Sequence, residues 1–208
     1  LRKLIPGLKK RSGALTKRQL TLQEISKDFN LQYQAEKSED VRFLDGFKHF
    51  STKQIERIYN RLFNTENTFK LFDINYSEGE FIAKEDVRTT MLHIKLNTII
   101  PGFTLDQEGF LEKVSVFAGF KDIAIENHSD FSKRFYLRGE DSVAIQSFFT
   151  DNLVLFFESN PYYHVESNGT SVLVYSKERI AGVKEIKNLH DFGKRLQTEL
   201  LVCTQNLG

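Results

Sequence analysis

The chain contains no tryptophan, one cysteine, one methionine and three prolines in 208 residues. The lone thiol, Cys203, excludes an internal disulfide and a cysteine-built metal site. It reads as a small apolar residue near a helix end. Long hydrophobic runs are also missing. The longest purely apolar stretch is Leu153–Phe157, far short of the roughly 20 residues that span a bilayer, and no signal-peptide core follows the start. The sequence has no GxSxG elbow, phosphate-binding loop or dinucleotide fingerprint. Acidic residues are absent from positions 1–23, which hold seven bases: Arg2, Lys3, Lys9, Lys10, Arg11, Lys17 and Arg18. All 28 acids lie downstream with the other 22 bases, so the body is net negative although the whole chain has a formal charge of +1. Such a split predicts that one end meets something anionic.

What is present is a phenylalanine-rich body. Nineteen Phe and 40% apolar residues suffice for a core, and the length fits one domain with a lead-in arm. We expect residues 1–20 to form a basic juxtamembrane-like arm and residues 21–208 a single α+β domain. Thr21 and Glu24 have the spacing of a capping box, so a helix is expected from Leu22 to Asn30. Phe43, Phe47 and Phe50 read as core anchors around a turn at Asp45-Gly46. For residues 55–63, Ile55, Ile58, Tyr59, Leu62 and Phe63 match helical spacing, while a strand turning at Asn64–Asn67 is the competing reading.

Thr68–Tyr76 and Val87–Asn97 alternate and are expected to form a hairpin, with Thr90, Leu92, Ile94 and Leu96 toward the core. Pro101-Gly102 suits a type II turn. A short helix is expected over Gly109–Gly119 and a brief strand at Ile123–Ile125. Phe131–Arg138 reads as a strand with one apolar and one cationic face. Asp141 or Ser142 caps a helix running to Glu158, kinked near Thr150–Asn152 and stopped by Asn160-Pro161. Asn168-Gly169 signals a two-residue type I′ hairpin pairing Val165 with Val172. The last helix is expected from Val183 to Val202. Together these elements predict an α+β fold: an antiparallel sheet built from hairpins, with two long C-terminal helices packed on one face.

Several segments taken together resemble a bacterial family. They are Phe72-Asp73 with Tyr76-Ser77 and Gly79, Arg88-Thr89-Thr90, Pro101-Gly102-Phe103 with Glu108, and Asp122-Ile123. Phe131-Ser132-Lys133-Arg134-Phe135, Leu137, Gly139 and Asp141 complete the set. The family is an uncharacterised one of single-pass membrane-anchored proteins with a soluble α+β domain of unknown function. The resemblance implies a membrane anchor preceding Leu1, and it implies that residues 55–63 are the first strand of a hairpin with Thr68–Tyr76. It implies no activity.

The candidate site residues fall into three groups. The arm bases Arg2, Lys3, Lys9, Lys10, Arg11, Lys17 and Arg18 are expected to contact a membrane surface, where each base near anionic lipid contributes on the order of 1 kcal/mol. Lys133, Arg134 and Arg138 could line an anion or ligand site. Glu126, His128 and Asp130 could form an acid–base cluster of hydrolase type, although no nucleophile motif accompanies them. Of the five histidines, His93 and His164 read as packed strand residues and His190 as solvent-facing, and none has metal-ligand spacing. Tyr162, Tyr163 and Tyr175 could stack on a ligand. No cofactor and no metal are expected. The reading favoured is a membrane-anchored interaction or ligand-binding module with its domain in the cytoplasm, binding an unknown protein or small molecule. A hydrolase using Glu126, His128 and Asp130 is the alternative. Nucleic-acid binding through the arm is disfavoured by the acidic body.

Overall fold

A computed structural model describes residues 15–38, 40–79, 85–107, 121–176 and 178–205. The expected helix over Gly109–Gly119 lies outside the described residues. The element order is α1 (Lys17–Asp28), β1 (Gln32–Gln34), single 3₁₀ turns at Arg42–Leu44 and Lys48–Phe50, β2 (Gln54–Phe63), β3 (Phe69–Glu78) and β4 (Glu85–Lys95). Then come β5 (Phe103–Gln107), β6 (Lys121–Asp122), α2 (Ser129–Arg134), β7 (Phe135–Gly139), α3 (Ser142–Phe148), α4 (Asp151–Glu158), β8 (His164–Ser167), β9 (Ser171–Tyr175) and α5 (Val183–Gln205). The nine strands form one sheet in the order β1-β2-β3-β4-β9-β8-β5-β7-β6, and every pairing is antiparallel. The α+β class expected from the hairpin pattern is the fold observed.

All five helices contribute side chains to one core on the first face of the sheet, among them Leu22 and Ile25 of α1, Phe131 of α2, Ile145 of α3, Leu153 of α4 and Leu196 of α5. On β3, β4 and β9 the alternate residues are apolar as well. Phe72, Ile74, Tyr76, Met91 and Leu173 form a second core, closed by Leu44, Phe47 and Phe50 from the 3₁₀ segment. The Asp45-Gly46 turn expected there depends on Gly46 at φ +82°. Both faces of β4 are therefore buried, whereas only the Leu92 side was expected to be. Tyr76 sits with Phe72 and Ile74, not with Phe69 and Leu71.

Residues 55–63 are a strand, as the family resemblance implies and against their helical spacing. The spacing arises from two register shifts, between Ile55 and Arg57 and between Tyr59 and Leu62. Each extra residue flips the inward parity, so Ile58 reaches the second core and Leu62 the first. Asn60, at φ +51°, occupies the second irregularity.

Other expectations are corrected. The capping box is Thr16 with Gln19, not Thr21 with Glu24, so α1 begins inside the basic arm. The helical period that places Leu22 and Ile25 on the sheet extends back to Arg18, one turn earlier. Phe131–Arg138 is not one strand but a helix followed by β7. Phe131 and Phe135 are both buried and stacked at 4.9 Å, and a four-residue spacing fits both periods. The expected long helix to Glu158 is two helices, separated at Phe149 (ψ 71°), with Thr150 entering the second in an extended conformation; Asp141 does cap the first through Ala144 N–H at 2.9 Å.

The β8–β9 register pairs Val165 with Val174, not with Val172. Its loop is Gly169-Thr170, with Gly169 at φ +95° and Asn168 outside positive φ, which is the type II′ pattern. The tip carbonyls of Gly169 and Thr170 accept from Ile100 and Leu96 N–H, which holds that loop in place. Gly102 does not take positive φ, so Pro101-Gly102 is not a type II turn. A Cβ at the facing Gly139 would come within 2.6 Å of the Gly102 carbonyl, so the two backbones meet at close range.

Candidate functional site

The half of the sheet made by β8, β5 and β7 is apolar on the first face only. Phe103, Leu105, Val165, Phe135 and Leu137 enter the helix-covered core, while on the second face Thr104, Arg138, His164 and Glu166 are polar and buried and Asp106 is half-buried. Thr104 pairs in register with Glu166 on one side and Arg138 on the other. Asp106 and His164 lie one step along, joined by His164 Nδ1 and Asp106 Oδ1 at 2.5 Å. The 3₁₀ segment closes over this row. Glu166, 5% exposed, accepts the backbone N–H of Lys48 through Oε1 and that of His49 through Oε2. Burial pushes its carboxyl up to about 7 despite those two hydrogen bonds.

From there a chain of polar rings continues. The Tyr175 hydroxyl and His49 Nδ1 lie 2.8 Å apart, and the His164 ring stacks on Tyr175 at 4.8 Å. Burial, then the charges of Lys53 and His164, hold His49 well below the usual imidazole range. Burial also drives Tyr175 well above the usual phenol range. Both groups are therefore neutral at physiological pH, and the Tyr175 hydroxyl and His49 Nδ1 share one hydrogen bond. Lys53 lies 3.4 Å from both His49 ring nitrogens and 3.2 Å from Glu78.

Beside Glu166 is a cavity of about 350 Å³ bounded by Gly46, Lys48, Gly102, Thr104, Glu140 and Ser167, with further residues from the same loops. Thr104 lines it, and its buried hydroxyl has no hydrogen-bond partner among the described residues. This arrangement can bind a small polar group. It does not present a nucleophile paired with a base, because His49 is committed to Tyr175 and His164 to Asp106. Sequence reasoning missed Glu166, Thr104, Asp106 and His49. The alternations Phe103-Thr104-Leu105-Asp106 and His164-Val165-Glu166 were the available signal, but alone they describe a solvated sheet face.

The residues singled out from sequence do not converge. Arg138 is buried and its Nε donates to Asp122 at 2.6 Å. Arg134 donates to the Tyr162 hydroxyl and to the Glu158 carbonyl, and Lys133 is an exposed neighbour of Asp130 at 3.1 Å. Glu126 is exposed, Asp130 turns to Lys133, and His128 Nε2 meets Asp151 at 3.0 Å. The proposed acid–base trio is thus dispersed because Ser129–Arg134 is a helix that carries Asp130 away from the preceding loop. His190 is 9% exposed and stacks on Phe29 at 3.7 Å, which corrects its solvent-facing assignment; α1 covers that side of α5. Tyr163 packs on Phe192 at 4.5 Å.

Of the arm bases, Arg2, Lys3, Lys9, Lys10 and Arg11 lie outside the described residues, and Lys17 is exposed. Arg18 points inward instead. Its Nε and Nη2 donate to the two oxygens of Asp73 at 2.8 and 2.7 Å, and its Nη1 donates to the Ala181 carbonyl at 2.7 Å. Asp73, 1% exposed, also accepts from Asn60 Nδ2 and Thr90 Oγ1, both at 2.7 Å. The Arg18–Asp73 pair therefore ties α1 to β2, β3, β4 and the segment entering α5.

The sequence matches no protein-family model and no curated protein. Its fold is similar to that of a solved structure, the mycobacterial trehalose monomycolate transport factor A, TtfA. The TM-score is 0.61 at 13% identity, covering 88% of this chain and 93% of that one. At this identity the likeness is one of fold. Among the described residues, no helix is long and apolar enough to cross a membrane.

Proposed function

We propose that this chain is a non-catalytic binding module working at a membrane surface, on the cytoplasmic side, as an accessory factor in a transport process. The observation that carries the reading is the fold shared with TtfA, named as a transport factor, over nearly the whole of both chains. Two features support it. Among the described residues, His49, His128, Asp130 and His164 are each engaged with a structural partner, while a cavity of ligand size remains beside Glu166. The acid-free arm leads into a helix fastened to the sheet through Arg18, so surface contact by the arm would hold the domain close to the bilayer.

The test is sedimentation with vesicles of anionic and of neutral phospholipid. Wild type is compared with a variant carrying Lys9→Gln, Lys10→Gln, Arg11→Gln and Lys17→Gln, with Arg18 left intact. We expect retention on anionic vesicles only, falling at least about tenfold in the variant and also at high salt, given about 1 kcal/mol per base. Equal retention by both proteins, or equal retention on neutral lipid, would refute the arm's role. Recovery of the full-length gene product in the soluble fraction of cells would refute anchoring.

A further inference from the structure

We propose that the cavity beside Glu166 and Thr104 is a binding site for a primary ammonium group, presented by a free alkylamine or by a lysine side chain. The proposal deepens the reading of the domain as a binding module, and it does not depend on membrane contact. The chemistry of the walls is the argument. The cavity holds about 350 Å³, within the range of small-molecule sites. Oxygen groups line it: the Glu166 carboxylate, the Thr104 and Ser167 hydroxyls, which can accept, and the carboxylates of Glu140 and Asp141. Lys48 also borders it, and its Nζ is 3.1 Å from Glu140, so that pair offsets itself and leaves the interior acidic.

The deepest two groups are the informative ones. Glu166 keeps one backbone N–H on each oxygen, so each oxygen has a further lone pair to offer. Thr104 is 4% exposed, directly across the ladder from Glu166, and its hydroxyl has no hydrogen-bond partner among the described residues. A buried hydroxyl left unmatched is costly, and a ligand that donates to it recovers that cost. An ammonium brings three donors and no acceptor, which matches a wall of acceptors. An anionic ligand would meet Glu166 and Asp141 with repulsion. A divalent cation is disfavoured because, among the described residues, no group of three or more His, Cys, Asp or Glu is placed to hold one. Burial favours the protonated Glu166 carboxyl near neutral pH, and a bound cation favours the ionised form, so the site should take its ligand by releasing a proton.

The experiment is a titration of the ¹⁵N-labelled whole protein, followed by amide NMR. The probes are n-butylammonium, a linear diamine, and a lysine blocked at both its amino and carboxyl ends, with glycerol as a neutral control. Saturable shifts at Gly46, Gly102 and Ser167 are expected for the amines and not for glycerol. Affinity should rise from about pH 6 to about pH 8 as Glu166 ionises. Glu166→Gln should weaken binding roughly tenfold or more, since a charge-assisted contact is lost. Thr104→Val, which keeps the shape, should weaken it several-fold and guards against a folding defect in the first variant. Tighter binding of the blocked lysine identifies a protein side chain as occupant, and tighter binding of the diamine identifies a free amine. Absence of saturable shifts, an equal response to glycerol, or unchanged affinity in both variants would overturn the site. Vesicle retention by the same preparation reports on the membrane reading separately.

Discussion

Replacing Arg18 by Met keeps the aliphatic stem and removes the guanidinium from a carboxylate that is almost wholly buried. Asp73 would keep Asn60 and Thr90 as neutral donors and lose both charged ones. Removing one partner of a buried pair costs about 3–5 kcal/mol. The Arg18 side chain is 28% exposed, so water can partly replace it, and the loss expected is at the lower end, about 3 kcal/mol. With an m-value of about 2–3 kcal/mol/M, the urea midpoint should fall by about 1–1.5 M, read by circular dichroism because the chain has no tryptophan. Asp73→Asn in the Arg18→Met background should recover part of that loss, since the stranded charge is gone. Hydrogen exchange should quicken in α1 first, because the Arg18 contact to the Ala181 carbonyl is lost too. A loss below about 0.5 kcal/mol, the range of exposed surface pairs, together with additive single variants, would refute the clamp and return Arg18 to the arm.

The raised carboxyl of Glu166 has a signed consequence. Its folded-state value of about 7 exceeds the ordinary 4.5, so folded protein holds a proton that unfolded protein has released between those values. Stability from this group therefore falls as pH rises through that window, by about 3 kcal/mol in all. Glu166→Gln should remove that dependence, so the wild-type-minus-variant stability difference should fall between about pH 4 and pH 8, and parallel curves would contradict the assignment. In α5, Gly193→Ala should destabilise by about 1–3 kcal/mol despite a helix-propensity gain of up to about 1 kcal/mol. The added Cβ would lie 2.2 Å from Leu92 Cδ2 and 3.1 Å from Phe69 Cε2; a rise in melting temperature would show that the packing can yield.

The class of the fold and most of its hairpins are legible along the chain, because alternation and turn residues are local. The β3–β4 pair, the Asp141 cap and the stripe of α5 could all be read within a window of a few residues. Where two local signals competed, the sequence misled. Two bulges gave β2 the spacing of a helix, and a four-residue Phe pair made α2 and β7 look like one strand. Tertiary structure alone decided which polar faces are buried. Thr104, Asp106, His164 and Glu166 alternate with apolar residues as any solvated strand face does, and only the 3₁₀ segment of residues 48–50 closing over Glu166 makes them an interior cluster. The same holds for Arg18. Its charge placed it in a basic arm, but helix register and a carboxylate 55 residues downstream turned it into a clamp, because electrostatic partners are chosen by distance in space and not along the chain.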